Sequence, residues 1–514
     1  MRRALAPTLL LRTFAARTRC RGHGSKGTRL GLSIVSDAKT NLGRELALAT
    51  LVERAPLASS LAAAFKEKGY ALALVGGPVR DAILGRLGND LDFTTDAHPL
   101  ETKKILKGWA ENVWDTGIEF GTIAGKRGDT TVEVTTYRTE KYEEDSRNPD
   151  VEYGDNIIGD LSRRDFTVNS MALELTTPTP EFIDPFNGIE DLAAKVLRTP
   201  ASARQSFSDD PLRMMRAARF ASQLGFSLDE EVVQAMRDMS GRISIISAER
   251  VRDEFVKMLM SPSPRIGITI LVDTGIADHV LPEIPKLRLE IDEHHHHKDV
   301  YEHSITVLEQ AITQEDRLGG PNLVNRLAAL LHDIGKPKTR NLLEGGGVSF
   351  HHHEVVGARL TKNRLKALRF DNDTIDAVET LVALHLRFHG YGDGEWTDSA
   401  VRRYVRDAGE LLTHLHVLTR ADCTTRNVKK AERLSRTYDS LEARIEKLME
   451  EEELSKIRPD LDGAQVMKLL DIKPSADVGK ALDFLMELRM EHGPLGEERA
   501  TDELLNWWRG RRRP

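Results

Sequence analysis

The chain has 514 residues, of which 40% are hydrophobic and 30% are charged, and only two residues are cysteines. The two cysteines exclude a disulfide framework and favour a reducing compartment such as the cytoplasm, and no apolar run reaches the roughly 20 residues of a membrane-spanning helix. The net charge of −7 excludes a general attraction to nucleic acid, so any RNA must meet a local basic patch.

The first 45 residues form a basic leader that we expect to be disordered. Residues 1–36 contain eight Lys or Arg and no acidic residue. This composition is similar to that of an organellar transit peptide, so an organellar location is the alternative to the cytoplasm. No later motif depends on the leader.

An α+β head is predicted for residues 46–185. "YALALVGG" (70–77) indicates a buried strand that ends at glycine, and "PVRDAILG" (78–85) indicates a short helix with Pro78 at its first position, where the missing N–H costs nothing. "LDFTT" (91–95) and "TVEVTTYR" (131–138) predict further strands, because they alternate with period two and are rich in β-branched residues. We therefore expect a small mixed sheet with helices.

The chain after residue 185 is predicted to be all-α. "DDPLRMMRAARF" (209–220) indicates a helix with Asp210 as its N-cap. Helical patterns then continue with almost no strand signal, and Gly463 and Gly479 are predicted to open short helices. The expected division is a helical neck (186–290), a histidine-rich domain (291–430) and a helical tail (431–514).

Two carboxylates of the head, Asp90 and Asp92, suggest a metal site. Residues two apart on a strand point to the same face, about 7 Å apart along the strand. Paired oxygen ligands suit Mg²⁺, which shares its shell with substrate phosphates. The turn at Gly76-Gly77 opens a helix whose free N–H groups attract a triphosphate, and Arg80 adds a charged contact. The order of these parts predicts a metal-assisted nucleotidyl transfer site.

At these motifs the chain resembles the class II transfer-RNA nucleotidyltransferases, which are the CCA-adding enzymes, and the related bacterial poly(A) polymerases of the polymerase β-like superfamily. The resemblance continues through "RRDFTVNSMAL" (163–173), "DDPLRMMRAARF" (209–220) and "ISAERVRDEF" (246–255). It implies addition of C, C and A to tRNA 3′ ends from CTP and ATP, with Mg²⁺ and without a nucleic-acid template. An enzyme that adds only A, or a poly(A) polymerase, is the alternative within the family.

The resemblance also assigns roles to individual residues. It makes Asp90 and Asp92 the catalytic metal ligands, and it places Glu133 where some superfamily members keep a third carboxylate. A structural role for Glu133 is the alternative. The residues assigned to nucleotide binding are Gly76, Gly77, Arg80, Arg164, Asp165, Asn169, Asp210, Arg213 and Arg216.

Asp210 and Arg213 form the predicted base-reading pair, three residues apart on a helix. A carboxylate that accepts from an exocyclic amine, beside a guanidinium that donates to a ring acceptor, fits both cytosine and adenine. Uracil and guanine place a carbonyl oxygen against the carboxylate, and groups left unpaired in this way discriminate by about 10⁴-fold. An ordinary surface ion pair is the alternative.

The histidine-rich domain is predicted to hold a second site. The order of His and Asp residues is typical of HD-type metal-dependent phosphohydrolases, whose chemistry needs neutral imidazoles and carboxylates around a divalent ion. The residues expected to hold one ion are His303, His332, Asp333 and Asp422. Two further residues, His353 and His385, match positions that bind a second ion in dinuclear members.

Imidazole-rich sites favour a transition metal such as Ni²⁺, Co²⁺, Mn²⁺ or Fe²⁺. The resemblance implies hydrolysis of 2′,3′-cyclic phosphates or phosphomonoesters, and it makes the tail a tRNA-binding segment. An alternative of another class is an HD phosphohydrolase whose head only binds nucleotide or RNA, but the presence of both Asp90 and Asp92 argues against it. The sequence leaves the oligomeric state open.

Overall fold

The structure is a computed structural model that describes residues 43–511, apart from residues 44, 52, 54, 142–149, 155, 290–298, 344–347, 389–395, 426 and 453–457. The predicted basic leader lies outside the described residues, except for its last few positions. The chain divides into two compact units between Val280 and Leu281. The finer division into head, neck, HD domain and tail stays a prediction. Among the described helices, none combines the length and the apolar character needed to cross a bilayer.

The amino-terminal unit is built around a seven-stranded mixed sheet. The strands of this sheet are β1 (Leu72–Val75), β2 (Asp90–Thr95), β3 (Asn112–Gly117), β4 (Thr122–Arg127), β5 (Thr130–Thr136), β8 (Ala172–Glu174) and β9 (Glu181–Ile183). Their order across the sheet is β3-β4-β5-β2-β1-β8-β9. The central strand β2 pairs parallel with β5 and antiparallel with β1, which confirms the mixed sheet predicted from the sequence.

Two short strand pairs lie beside the main sheet. One is the antiparallel pair β6 (Arg138–Lys141) and β7 (Asp150–Tyr153), and the other is the parallel pair β10 (Val196–Leu197) and β11 (Ser227–Leu228). All four residues of β1 are buried, as expected for a continuous apolar run in the centre of a covered sheet. In β2 the first four residues instead alternate between exposed and buried.

Helices cover the sheet and continue beyond it to the end of this unit. They are α1 (Leu57–Glu67), α2 (Gly77–Ile83), α3 (Pro99–Trp109), α4 (Ile157–Ser162), α5 (Gly188–Ala194), α6 (Ala203–Asp209), α7 (Leu212–Leu224), α8 (Glu230–Met239), α9 (Ala248–Leu259), α10 (Pro264–Asp273) and α11 (Ala277–Val280). The longest of them, α7, ends at Gly225, which takes the left-handed conformation that glycine adopts at low cost. Met214 and Phe220 of α7 are buried.

The carboxy-terminal unit is almost entirely helical. Its helices are α12 (Glu283–Lys286), α13 (Val300–Ile312), α14 (Leu323–Leu331), α15 (Lys336–Thr339), α16 (His353–Ala367), α17 (Asn372–Leu384), α18 (Asp398–Ala408), α19 (Leu412–Asp422), α20 (Val428–Glu452), α21 (Gly463–Leu470), α22 (Ala476–His492) and α23 (Glu497–Arg511). One antiparallel pair, β12 (Asn341–Leu342) with β13 (Val348–Ser349), was not predicted, since two-residue strands are too short to show an alternating pattern.

The last three helices share a small core of their own. Its buried members are Leu461, Val466, Leu470, Ala481, Leu485, Ala500 and Leu504. Gly463 opens α21 behind an Asp462 capping box, as predicted, but the prediction for Gly479 is wrong. Gly479 is an exposed residue inside α22, which begins after Ser475. A helix tolerates one exposed interior glycine at a cost of about 1 kcal/mol.

Candidate active sites

Three carboxylates lie on one face of the main sheet. Asp90 and Asp92 are exposed, while Leu91 between them is buried, so both carboxylates lie on the solvent side of β2. Glu133 is the direct partner of Asp92 in the parallel register of β5, and it is exposed as well. Paired residues of neighbouring strands point to the same face, so the sheet collects three negative charges there.

The crowding of these carboxylates changes the acidity of Asp92. Its side chain is exposed, yet surrounding protein atoms displace water from the carboxylate, and this desolvation is the largest cause of a raised pKa. Glu133 and Asp90 also raise the pKa, Arg164 lowers it, and the result is about 6. Neighbouring negative charges raise the pKa of a carboxyl group, and a nearby positive charge lowers it. The observation therefore fits a divalent cation at this place.

The glycine turn and Arg164 lie beside the same carboxylates. β1 runs antiparallel to β2 with Leu74 opposite Phe93, so the turn after β1 comes next to the start of β2. Gly76 takes a φ of 74°, and a Cβ added there would lie 2.8 Å from Nη1 of Arg164. Only glycine allows both this φ and this close approach. Arg164 therefore lies against the turn, and from there its positive charge lowers the pKa of Asp92.

Four of the predicted nucleotide-binding residues form a buried chain of hydrogen bonds. Arg80 donates to Oδ1 of Asn169 over 2.5 Å and to the carboxylate of its neighbour Asp81. Asn169 donates to Oδ1 of Asp165 over 2.9 Å. Arg216 donates to the other oxygen of Asp165 from Nε and Nη2, over 2.8 and 2.5 Å. This chain ties α2 beside the sheet to helix α7.

The carboxylate of Asp165 is saturated by protein donors. Besides Asn169 and Arg216, it accepts the backbone N–H of Phe166, which fills the roughly four lone-pair positions of a carboxylate. Burial alone would raise its pKa, but Arg216 and Asn169 outweigh burial and lower the pKa to about 2. Asp165 therefore stays ionised, and a nucleotide contact by this residue would have to replace one of its present donors.

Asp210 and Arg213 do not form the ion pair that the sequence left open. Asp210 has an extended backbone, and its carboxylate accepts the N–H of Leu212, which are the features of the predicted N-cap. Pro211 follows with helical dihedral angles, and the helix assignment of α7 begins at Leu212. The other Asp210 oxygen lies 3.3 Å from Nη2 of Arg250.

Arg213 is buried and is held by other partners. It donates to Oγ of Ser206 over 2.9 Å and to the carbonyl oxygen of Arg163 over 2.6 Å. Each of its terminal nitrogens carries a second N–H. The surface ion pair is thus excluded, and the two side chains remain separate groups that flank the start of α7.

Four histidines and Asp422 of the carboxy-terminal unit come together from five helices or helix ends. His303 lies in α13, His353 begins α16, and Asp422 ends α19, while His332 and His385 directly follow α14 and α17. The Nδ1 atoms face acceptors outside the cluster: the carbonyl oxygens of Ala329, Phe350 and Val382 and the hydroxyl of Thr424. Such partners fix the ring orientation of metal-binding histidines, so the Nε2 atoms point inward.

Asp333 lies between two groups of inward-pointing nitrogens. Its Oδ2 is 3.2 Å from Nε2 of His332, and its Oδ1 is 3.3 Å from Nε2 of His353. On the first side, Nε2 of His303 is 2.9 Å from Oδ1 of Asp422. Ligand atoms within 4.8 Å of one another occur in two groups, His303 with His332 and Asp333, and Asp333 with His353 and His385.

The atoms of this cluster fit bound cations. Nε2 of His353 and Nε2 of His385 are buried and have no hydrogen-bond partner among the described residues, and a buried polar atom of this kind costs about 1–3 kcal/mol unless a ligand satisfies it. Burial, followed by the charge of His332, lowers the pKa of His385 to about 3. Its imidazole is therefore neutral, which is the form that binds a metal.

The pKa of His332 is raised, whereas the pKa of His385 is lowered. Burial opposes the protonation of His332, but Asp333 and Asp422 raise its pKa to about 9. A divalent ion between these groups would take the place of that proton, because metal binding and protonation compete for the same nitrogen.

Sequence reasoning missed two residues beside this cluster. Lys336 is buried, and its Nζ lies 2.9 Å from Oδ2 of Asp333. Its position three residues after Asp333 was a usable signal, because i and i+3 side chains meet across a helical turn. Thr424, which faces His303, is 121 residues away in the chain, so no local pattern could have indicated it.

Family models match three parts of the chain. They are the "Poly A polymerase head domain" over residues 72–198, the "Probable RNA and SrmB- binding site of polymerase A" over residues 225–287, and the "HD domain" over residues 300–472. Among solved structures, the chain is similar to the Bacillus stearothermophilus CCA-adding enzyme in complex with CTP. The TM-score is 0.62 at 24% identity, over 88% of this chain and 97% of that one. This likeness confirms the predicted α+β head followed by helical domains.

Curated relatives match the chain to different extents. The CCA-adding enzyme of Lactobacillus johnsonii is 43% identical over 42% of this chain and 52% of its own length, so the match spans about half of that relative. The A-adding tRNA nucleotidyltransferase of Deinococcus radiodurans is 34% identical over 81% of this chain and 91% of its own length. The chain therefore belongs to the tRNA nucleotidyltransferase family, in which CCA-adding and A-adding enzymes are its relatives, and it carries an HD domain.

Proposed function

We propose that the head adds C, C and A to the 3′ end of tRNA from CTP and ATP, without a template, in the cytoplasm. The observation that carries this proposal is the shared exposed face of Asp90 and Asp92, next to the Gly76 turn and Arg164. The two aspartates are the proposed ligands of Mg²⁺, which when bound supplies the charge that activates the 3′-hydroxyl and stabilises the leaving pyrophosphate.

The residues of the chain have separate tasks in this proposal. Arg164 offers its positive charge to the triphosphate from its place against Gly76. Asp210 accepts a hydrogen bond from the exocyclic amine of cytosine or adenine, and Arg213 donates one of its remaining N–H groups to the ring acceptor. The buried chain from Arg80 to Arg216 holds the triphosphate side and the base-reading helix in a fixed relation.

Addition of A alone is the second candidate for the head. It is favoured by the A-adding relative from Deinococcus radiodurans, whose match covers 81% of the chain, compared with 42% for the CCA-adding relative from Lactobacillus johnsonii. Three tRNA transcripts separate the candidates, ending before the first C, before the second C and before the final A. Each is incubated with one labelled nucleoside triphosphate at a time. The proposal predicts C on the first two and A on the third; extension of the third transcript alone would identify an A-adding enzyme.

For the HD domain we propose a metal-dependent phosphohydrolase activity on 2′,3′-cyclic phosphates or phosphomonoesters. The supporting observation is that the buried Nε2 atoms of His353 and His385 make no hydrogen bond with any described residue, while Nε2 of His353 lies 3.3 Å from Oδ1 of Asp333. Asp333 would bridge two ions, since its two oxygens face different groups of histidines. The ions fitting these nitrogen ligands are Ni²⁺, Co²⁺, Mn²⁺ or Fe²⁺, and they supply an activated water. Hydrolysis of 2′,3′-cyclic AMP, assayed with each metal in turn, tests the proposal.

A further inference from the structure

Two glycines meet next to the histidine cluster. A Cβ added to Gly335 would lie 2.1 Å from the carbonyl oxygen of His353 and 2.7 Å from the backbone nitrogen of Gly357. A Cβ added to Gly357 would lie 3.4 Å from the backbone nitrogen of Gly335 and 3.4 Å from the carbonyl oxygen of His332. The neighbours of Gly335 are all backbone atoms, which cannot turn away as a flexible side chain can; Gly357 also has Cγ1 of Val382 at 3.4 Å.

Gly335 is needed for space and not for its backbone conformation. Its φ of −76° and ψ of −25° are ordinary helical values that any residue adopts. A methyl group at this position would have to move from 2.1 Å to a normal contact distance, which means a displacement of about 1 Å or more.

The contact between the glycines joins two ligand-bearing segments. Gly335 comes two residues after Asp333, on the turn between α14 and α15. Gly357 comes four residues after His353 in α16, so it lies on the same face of that helix. The segment that carries His332 and Asp333 therefore touches the segment that carries His353 directly through its backbone.

We propose that Gly335 and Gly357 are positioning residues that set the distance between the two ion positions of the HD domain. This inference rests on the dinuclear centre proposed above. Metal ligands must keep their distances within about 0.2 Å, so a shift of α16 by about 1 Å would remove His353 from the second ion. Three ligands of the first ion are held by elements other than α16: His303 lies on α13, Asp422 ends α19, and His332 is held by the carbonyl of Ala329. We therefore expect the first ion to be affected less than the second.

Binding of Mn²⁺ to the full chain tests this inference. Asp92→Ala is introduced into the wild-type chain and into every variant of this experiment, so that no ion of the head carboxylates is counted. Isothermal titration and elemental analysis after gel filtration give the affinity and number of ions, and electron paramagnetic resonance detects magnetic coupling between two Mn²⁺ ions. The wild-type chain should bind two coupled ions. Gly335→Ala should weaken the second ion by about 10- to 100-fold, lose the coupling and affect the first ion less than the second. Gly357→Ala should show a smaller loss of the same kind, because its methyl group meets contacts of 3.4 Å.

Gly479→Ala is the matched control, since Gly479 lies inside α22 and an added Cβ there would have no described atom within 4 Å apart from its own helix backbone and chain neighbours. It should bind both ions as the wild type does. Unchanged affinity for both ions in Gly335→Ala, or equal weakening of both, would overturn the inference while the dinuclear centre stands. If Gly335→Ala does not fold, Gly357→Ala decides in the same way. A wild-type chain that binds fewer than two ions would instead contradict the dinuclear centre and remove the inference with it.

Discussion

The carboxylates of the head and the histidine cluster of the HD domain differ in how far they are shielded from solvent. Asp90 and Asp92 are exposed, whereas His332, Asp333 and His385 are each 1% exposed. Exposed oxygen ligands can share a cation with a large incoming anion such as a triphosphate. A buried set of imidazoles and carboxylates supplies most of the ligands of an ion from the protein and leaves an open position for a water.

In the head, the substrate is expected to supply part of the ligands of the cation. In the HD domain, the fold supplies most of them. In the head, adjacent positions of two paired strands supply the carboxylates, so the geometry follows from the register of β2 and β5. In the HD domain, five helices must pack correctly before the imidazoles and the carboxylate of Asp422 converge. We therefore expect the head to respond mainly to changes of charge, and the HD domain to changes of packing as well.

The largest effect is expected from loss of one head carboxylate. Asp92→Ala should reduce the addition of both C and A by at least about 10³-fold, because a bound cation contributes several kcal/mol to the transition state and each 1.4 kcal/mol is tenfold in rate. Single-turnover incorporation of labelled CTP and ATP measures this. The control is Asp129→Ala, which removes an exposed carboxylate from the turn between β4 and β5 and should retain activity. Loss of only one of the two additions would argue against a single shared site.

A double substitution in the HD domain should have a selective effect. Replacing His332 and Asp333 with Ala removes two ligands, so hydrolysis of a 2′,3′-cyclic phosphate should fall by more than about 100-fold. Nucleotide addition should stay within about threefold, because sites without shared partners act independently. Circular dichroism checks that the variant is folded, and His351→Ala, at an exposed histidine, is the control. A folded double variant that also loses nucleotide addition would show that the two sites are not separable.

The sequence was sufficient where a site depends on local geometry. The period of two along β2 places Asp90 and Asp92 on one face whatever surrounds them, and the structure has them so. The helix after Gly76 was also predictable, because glycine and proline mark its beginning. These signals lie within a few residues of the side chains that they position.

Contacts between residues far apart in the chain, and the position of a glycine that fits many conformations, could not be predicted from the sequence. Arg80 and Asn169 are 89 residues apart, and Arg216 and Asp165 are 51 residues apart, so no local pattern indicates that they bind each other instead of standing free for a nucleotide. Gly479 was assigned to a helix start because glycine often marks one, but glycine tolerates many conformations and requires none of them. Only packing decides where such a residue lies.

A smaller effect is expected at the base-reading position. Arg213→Ala should reduce the preference for CTP over UTP by about 10- to 100-fold, with less effect on the binding of triphosphate, which we measure from kcat/KM and KM for each nucleotide. Ser206→Ala is the control, because it removes a hydrogen-bond partner of Arg213 and keeps the guanidinium. It should cost about 1 kcal/mol of stability and leave base choice intact. An unchanged CTP preference in folded Arg213→Ala would remove this residue from base reading.

The smallest effect, and the one that assigns a role to Glu133, is a shift in pH dependence. The pKa of Asp92 is about 6 in the cation-free protein, and the charge of Glu133 is one of its causes. Below that pH a proton competes with Mg²⁺ for Asp92, so the Mg²⁺ concentration for half-maximal activity should rise by up to about tenfold per pH unit. Glu133→Gln removes a negative neighbour, which lowers the pKa of Asp92, so this rise should begin at a lower pH.

Mg²⁺ titrations of nucleotide addition between about pH 5 and pH 8 measure the shift. Near pH 8 Asp92 is ionised in both proteins, so Glu133→Gln and the wild type should need similar Mg²⁺ concentrations if Glu133 acts only through its charge on Asp92. If Glu133 is itself a ligand, the variant will need more Mg²⁺ at every pH, including pH 8, because a ligand is missing whatever the state of Asp92. Glu119→Gln, at an exposed carboxylate of the same unit that does not contribute to the pKa shift of Asp92, should follow the wild-type curve. The Mg²⁺ requirements of the wild type and of Glu133→Gln therefore decide whether Glu133 is a third metal ligand or a neighbour that only raises the pKa of Asp92.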